Sequence, residues 1–487
     1  MKKQTKIAVG ISAAALLAVG ASMTSFAAKG WVNEDGNWYY YNTSGDRVAN
    51  EWKSYNGQYF YLGDDEAMVT NQLVEDNNGN KYYVDANGAM VKNTWVAIPA
   101  DEDETLDVEY RWYYFGSTGK AYKSSYGKSI NGKKYGFDDD GKMLFGYVDA
   151  DSYTIVNDEE DPILNSTYYF GTNDDGARHS GWLQYTDSLS DDDFTDDYYW
   201  FYYNTNGKMA KDTTKNINGK KYSFKANGMM NYKFQDGTVA GESTTTWWGS
   251  AADGSLAKNQ WIYAVPTAAQ NQGDHDDDTS RWFRTDASGR LIKNQTKKIN
   301  SKWYVFDKEG IMKKGLVVLD KSPVSGAQPD YAYADANIKT PFIDGDKIDG
   351  DQIKAATFGS KLHFFSASES DGAMKTGTVK IDLADDTYTF SFTKTTGAAK
   401  HGIVDKKIYN NGILLNAGDE KYAVVTSPVA DKDGNTQFVV GTSGTIVTGT
   451  NKYKTADDTY LVAKNGVFKG GPFSDAKDAD DLVKTLK

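Results

Sequence analysis

Cysteine is absent from the 487 residues, histidine occurs four times and proline eight. Without cysteine there is no disulfide framework, no thiolate nucleophile and no thiolate zinc site. The fold must then be held by sheet hydrogen bonds and packing. The four histidines, His179, His275, His363 and His401, have no recognisable nucleophile beside them and no metal-ligand spacing, so they read as loop or strand residues. Basic residues are outnumbered, 54 against 67 acidic, giving a net charge of −13. That balance argues against nucleic acid and suits cationic partners. Long apolar runs are missing after the first 27 residues. Those 27 read as a secretory signal: Lys2, Lys3 and Lys6 lead, an apolar run covers 7–20, and Ser25-Phe26-Ala27 is a small-x-small cleavage site. A membrane anchor is the alternative, but the run is short for a span. Loss of the three lysines takes the net charge to −16, and no stable membrane insertion is expected after cleavage.

What the chain has in abundance is aromatic side chains, 14% of residues in a polar sequence. They are organised around residues 30–50, GWVNEDGNWYYYNTSGDRVAN. Aromatics favour strands, so 38–41 predicts a strand, 42–46 a turn and 47–50 the start of a return strand. Some twenty residues cannot bury a core alone, and the unit needs neighbours. They follow in sequence. The turn position recurs at Gly45, Glu66, Gly88, Gly119, Gly141, Gly176, Gly207, Gly228, Gly254, Gly289 and Gly310. Self-similarity on this scale predicts a repeat array rather than a globular enzyme core.

Aligned on the turn, two positions stand out. The first, fourteen residues ahead of Gly45, is Trp31; its counterparts are Trp52, Trp95, Tyr147, Trp182 and Trp261. The second, seven ahead, holds Trp38, Tyr59, Trp112, Trp200, Trp247, Trp282 and Trp303. In three copies it holds Lys81, Lys134 or Lys221, each followed by a tyrosine (Tyr82, Tyr135, Tyr222). Two rings from one hairpin and one from the next make a three-walled cage. Ring faces carry a negative quadrupole, so a cage favours a quaternary ammonium. A lysine in the slot repels such a ligand, and the lysine copies are expected to be spacers. The competing reading is that every ring only packs one repeat on the next.

The stretches GWVNEDGNWYYYNTSGD, YRWYYFGSTGKAYKSS and SRWFRTDASGRLIKN resemble cell-wall-binding repeats, the choline-binding or glucan-binding type of Gram-positive surface proteins. The resemblance covers about residues 30–315. It implies an all-β fold, a superhelix of stacked β-hairpins, with ligand sites between consecutive hairpins. Carried onto this chain, it implies sites at Trp31, Trp38 and Phe60; at Trp52, Tyr59 and Tyr82; at Trp95, Trp112 and Tyr135; at Trp182, Trp200 and Tyr222; and at Trp261, Trp282 and Tyr304. Related repeats bind glucans by stacking sugars on such rings, and the residues do not separate the two ligands.

Acidic insertions at 101–104, 149–161, 187–197 and 270–278 interrupt repeats between the two slots and are expected as loops on one edge. Asp191 to Asp193 and Asp276 to Asp278 lack the spacing of a dedicated Ca²⁺ loop and read as solvated. From about Leu316 the repeats decay and tryptophan disappears, although strand–turn units continue and 475–487 has a weak helical pattern suited to capping the last hairpin. The expected organisation is a signal peptide at 1–27, wall-binding hairpin repeats at 28–315 and degenerate β repeats at 316–487. The expected function is non-catalytic binding of choline-bearing teichoic acid or another wall polysaccharide, on the cell surface, without cofactor. A host surface is a further candidate partner. An enzyme with its active site in 316–487 and a purely structural spacer stand as alternatives.

Overall fold

The computed structural model describes residues 29–101, 106–157, 160–189, 198–239, 242–320, 323, 342–368 and 371–487. The signal segment and the aspartates at 191–193 lie outside them. The chain divides into two compact units, 1–233 with 248–255, and 234–247 with 256–487.

Up to Arg284 each repeat is a two-stranded antiparallel hairpin, and the copy at 295–313 adds a short third strand. Strands Gly30–Glu34 and Asn37–Tyr41 pair Trp31 with Tyr40 and Asn33 with Trp38. Strands Glu51–Tyr55 and Gln58–Leu62 repeat the pattern. The hairpin does not close where the turn glycine predicts. It closes at Asp35-Gly36, and in later copies at Asn56-Gly57, Asn131-Gly132 and Asn218-Gly219, where both residues have positive φ. Two-residue turns of this kind match strand twist, and Asn-Gly or Asp-Gly tolerates their backbone. The Gly45 turn instead ends the hairpin. Asn42 Oδ1 accepts hydrogen bonds from the amides of Ser44 and Asp46, and the chain then makes one bridge, Tyr41 to Arg47, before entering the next hairpin. Asp85, Asp138, Asp286 and Asp307 hold the later turns in the same way.

The seam between hairpins is also regular. In six copies the residue two after the turn position donates its amide to the carbonyl of an earlier second-slot residue: Met68 to Trp38, Met90 to Tyr59, Ala121 to Lys81, Met143 to Trp112, Arg178 to Lys134 and Met230 to Trp200, all at 2.7–2.8 Å. The bond uses backbone only, so tryptophan, tyrosine and lysine copies stack alike. Below it runs a methionine spine. A methyl group on Gly88 or Gly254 would lie 2.7 Å from the sulfur of Met68 or Met230, and Met90, Met143, Met209, Met312 and Met374 press on later turn glycines in the same manner. Seven of the ten methionines are used this way. Unbranched, polarizable Met fills such irregular gaps.

The insertions lie at the hairpin tips. The 100–109 segment joins strand Thr94–Pro99 to Tyr110–Phe115, and 265–280 joins Trp261–Ala264 to Arg281–Arg284, with a short helix Gln272–Asp276. Beyond Gly315 the hairpins merge into wider sheets, one of three strands and two of five. Helix Ala476–Leu486, capped by Asp475, packs Ala479, Leu482, Val483 and Leu486 on Tyr460, Val462 and Phe473 of the last sheet.

Candidate aromatic binding site

In a strand, residues two apart share a face. Trp95 pairs with Tyr114, and Trp112 lies two residues before Tyr114, so both slot residues project from one face of the hairpin. Their rings stand 6.4 Å apart at 88°, and Tyr135 from the next hairpin meets Trp95 at 4.9 Å and 67°. Trp182, Trp200 and Tyr222 repeat this corner, 6.0 Å at 86° and 4.9 Å at 72°. Trp261, Trp282 and Tyr304 repeat it again, 6.2 Å at 89° and 4.9 Å at 68°. All nine rings are half-buried. Phe137, Phe224 and Phe306 form the floor beneath the first-slot tryptophans, at 5.7–5.9 Å.

The two N-terminal sets are less complete. Trp31 meets Phe60 at 5.4 Å, but Phe60 is only 4% exposed and serves as core. Trp38 lies across from Asn33, and ring contacts of Trp31 run to Tyr40 and Phe60. Trp52 meets Tyr82 at 5.2 Å, whereas Tyr59 is 43% exposed and carries the Lys92 ammonium 4.8 Å over its ring. A second protein cation sits in the Trp261 corner. There Arg284 replaces the tyrosine found opposite the first slot in the other corners (Tyr114, Tyr202), and its guanidinium lies 5.6 Å over Trp261. The Trp95 and Trp182 corners are free of such an internal cation among the described contacts. Trp247 does not occupy a slot. It pairs with Phe234 at 4.6 Å in a core with Phe283, because the turn near Gly254 departs from the repeat.

Electrostatics are consistent across the three complete corners. Burial raises the phenol pKa of Tyr135, Tyr222 and Tyr304, with a nearby aspartate adding to the effect, so each third ring is neutral at physiological pH. That aspartate precedes a turn glycine and pairs with a lysine two residues before the tyrosine: Lys133 with Asp175 at 2.9 Å, Lys220 with Asp253 at 2.6 Å, Lys302 with Asp371 at 3.8 Å. The indole N–H groups of Trp112 and Trp200 are buried without a hydrogen-bond partner. Among the described residues no group of three His, Asp or Glu side chains is placed to hold a metal. His363 is not solvated: it lies in strand Leu362–Phe365, 1% exposed, with Nδ1 bonded to the Lys361 carbonyl at 2.8 Å.

The choline-binding repeat model matches residues 50–95, and a cell wall binding repeat model matches residues 29–46. Glucosyltransferase-S of Streptococcus mutans is 28% identical over 196 residues, 40% of this chain and 11% of that protein. Glucosyltransferase-I of Streptococcus downei is 22% identical over 310 residues, 57% of this chain and 18% of that protein. The chain thus spans under a fifth of the length of these curated relatives. Among solved structures, the choline-binding domain of CbpL from Streptococcus pneumoniae is 19% identical, with 54% of this chain and 97% of that chain covered and a TM-score of 0.28. The modular autolysin LytC from the same species, with a synthetic peptidoglycan ligand, is 18% identical, covering 61% and 56%, with a TM-score of 0.35. Over residues 29–46 and 50–95 the chain carries cell-wall-binding repeats, of the choline-binding type in the second stretch.

Proposed function

We propose that this chain is a non-catalytic surface protein that holds the envelope through its corners, taking the trimethylammonium groups of choline-bearing teichoic acid between Trp95, Trp112 and Tyr135 and between Trp182, Trp200 and Tyr222. The observation that carries the reading is the recurrence of one three-ring geometry at seams 87 residues apart in sequence, each corner half-open and, among the described contacts, without an internal cation. Three electron-rich faces set nearly at right angles suit a compact cation without a preferred donor direction. Residues 28–315 are the wall-binding segment in this reading, exported by way of 1–27, and 316–487 is left for another partner such as a host surface.

A glucan ligand is the second reading, favoured by relatives that are glucosyltransferases. Titration of tryptophan fluorescence with choline and, separately, with glucan oligosaccharides distinguishes the two. Retention on a diethylaminoethyl matrix with release by free choline is expected. A protein that ignores both the matrix and choline removes the first reading.

A further inference from the structure

The pattern of charge changes beside the Trp261 corner. In the two earlier complete corners a tyrosine lies opposite the first slot, Tyr114 or Tyr202. The hairpin that follows carries a lysine in the second slot, Lys134 or Lys221, facing Ser129 or Asn216. At the third corner Arg284 lies opposite Trp261. In the hairpin that follows, the lysine has crossed the strand pair, so that Lys298 faces Trp303. Both changes bring a cation to the same place.

That place is a hollow of about 540 Å³, of the size that small-molecule sites have, between the turn that ends one hairpin and the tip of the next. Arg284, Arg290, Lys297 and Lys298 line it, against one carboxylate, Asp286. Asp286 is already engaged. Its Oδ1 accepts hydrogen bonds from the amides of Ser288 at 2.8 Å and Arg290 at 2.9 Å and from the Ser288 hydroxyl at 2.6 Å, and its Oδ2 pairs with Arg290 Nε at 3.5 Å. These bonds fix the turn before any ligand arrives. Among the described residues Arg284, Lys297 and Lys298 have no carboxylate partner. Three unpaired positive charges thus share one hollow on a chain of net charge −13. A concavity lined by one sign of charge focuses its field on a ligand of the other sign.

The lining selects among ligands. No aromatic ring takes part in it, so there is neither a cage for an ammonium nor a platform for a stacked sugar or base. The hollow shares Arg284 with the Trp261 corner but none of that corner's three rings. Its unpaired cations call for an anion, and they come from two hairpins. One carboxylate would be satisfied by a single arginine fork. A phosphate is tetrahedral and presents acceptors in several directions, and its oxygens accept more strongly than those of a sulfate. We propose that this hollow is an anion site that takes phosphate groups of a chain-like ligand, with Arg284 as the fork and Lys297 and Lys298 as point charges. Arg284 then has two effects: it closes the Trp261 corner to an ammonium and turns this seam toward the opposite charge. The inference rests on the hollow alone and does not depend on the choline reading.

The test is calorimetric titration of the full chain with poly(glycerol phosphate), with inorganic tripolyphosphate and with heparin, at low and at high salt. At least one phosphate probe is expected to bind, and more weakly as salt is raised. Binding of the first assigns the ligand to phosphodiester-linked polymers, and binding of the second alone assigns it to condensed phosphate. Lys297 and Lys298 are exposed, so the double variant Lys297→Gln with Lys298→Gln leaves the core intact. It is expected to weaken the phosphate probe by about tenfold, the scale of one charge-assisted hydrogen bond, while a choline titration stays unchanged. Lys469→Gln, which removes an exposed charge outside the hollow, is expected to change the affinity by less than about twofold. If neither phosphate probe binds, if heparin binds more tightly than both, or if the double variant weakens binding no more than Lys469→Gln does, the proposal fails, whatever choline does.

Discussion

At the scale of single residues, the corners are sensitive to what lies on each ring face. Trp112→Leu and Trp200→Leu keep apolar bulk and lose the ring quadrupole. Cation–π contacts contribute about 0.5–2 kcal/mol each, so each variant is expected to weaken choline at its own corner by roughly threefold to thirtyfold. Trp38→Leu, at a set whose third ring serves as core, is expected to leave the titration unchanged. The opposite change is more telling. Arg284→Tyr removes the guanidinium from Trp261 and installs the residue found at Tyr114 and Tyr202. Calorimetry is expected to show one additional choline equivalent; an unchanged stoichiometry would mean that the arginine is not what closes this corner. His363 acts on stability instead. Burial depresses its pKa to about 4. The unfolded chain, near 6.5, binds the proton first, so stability is full above that value and falls as pH drops toward 4. The loss amounts to on the order of 3 kcal/mol. Melting temperatures at pH 7 and pH 4.5 are expected to differ less in His363→Phe than in the parent chain.

At the scale of the element, the repeat depends on glycine and methionine together. Gly228 has φ of +92°, and a methyl group there would overlap the Met209 sulfur. Gly228→Ala is therefore expected to cost about 1–3 kcal/mol, and Met209→Ala about 2–5 kcal/mol through the cavity it leaves. In the double variant the overlap is gone and the backbone strain remains, so urea denaturation is expected to give a cost below the sum of the two. Additive costs would mean that the spine is not a contact. The same two residues show what could be read from the chain in advance. The period, the strands and the two ring slots follow from aromatic spacing, which tertiary contacts reinforce. From sequence Gly45 reads as the hairpin tip because its turn has the same glycine signature as Asp35-Gly36, and only pairing decides between them. The spine is invisible locally, since Met68 contacts a glycine 20 positions on. Trp247 falls in the second slot only if the repeat before Gly254 is unbroken, and its pairing shows that it is not.

At the scale of the whole molecule, the proposed ligand is a polymer and the proposed corners are several. Binding at one corner makes the next encounter intramolecular, with an effective concentration set by the spacing of ligand groups along the wall polymer. Free choline samples each corner alone. Weakening one corner, as in Trp112→Leu, is therefore expected to lower choline affinity at that corner alone, with little effect on the other corner. Retention on purified walls is expected to fall far more steeply, since avidity can exceed a single affinity by about 10²–10⁴ and is lost when a second contact is lost. Combining Trp112→Leu with Trp200→Leu is expected to release the protein from walls at ordinary salt. Sedimentation with walls, measured beside calorimetry with choline, checks both halves. If the double variant still sediments with walls although choline binds it far more weakly, the corners bind choline but another surface holds the envelope.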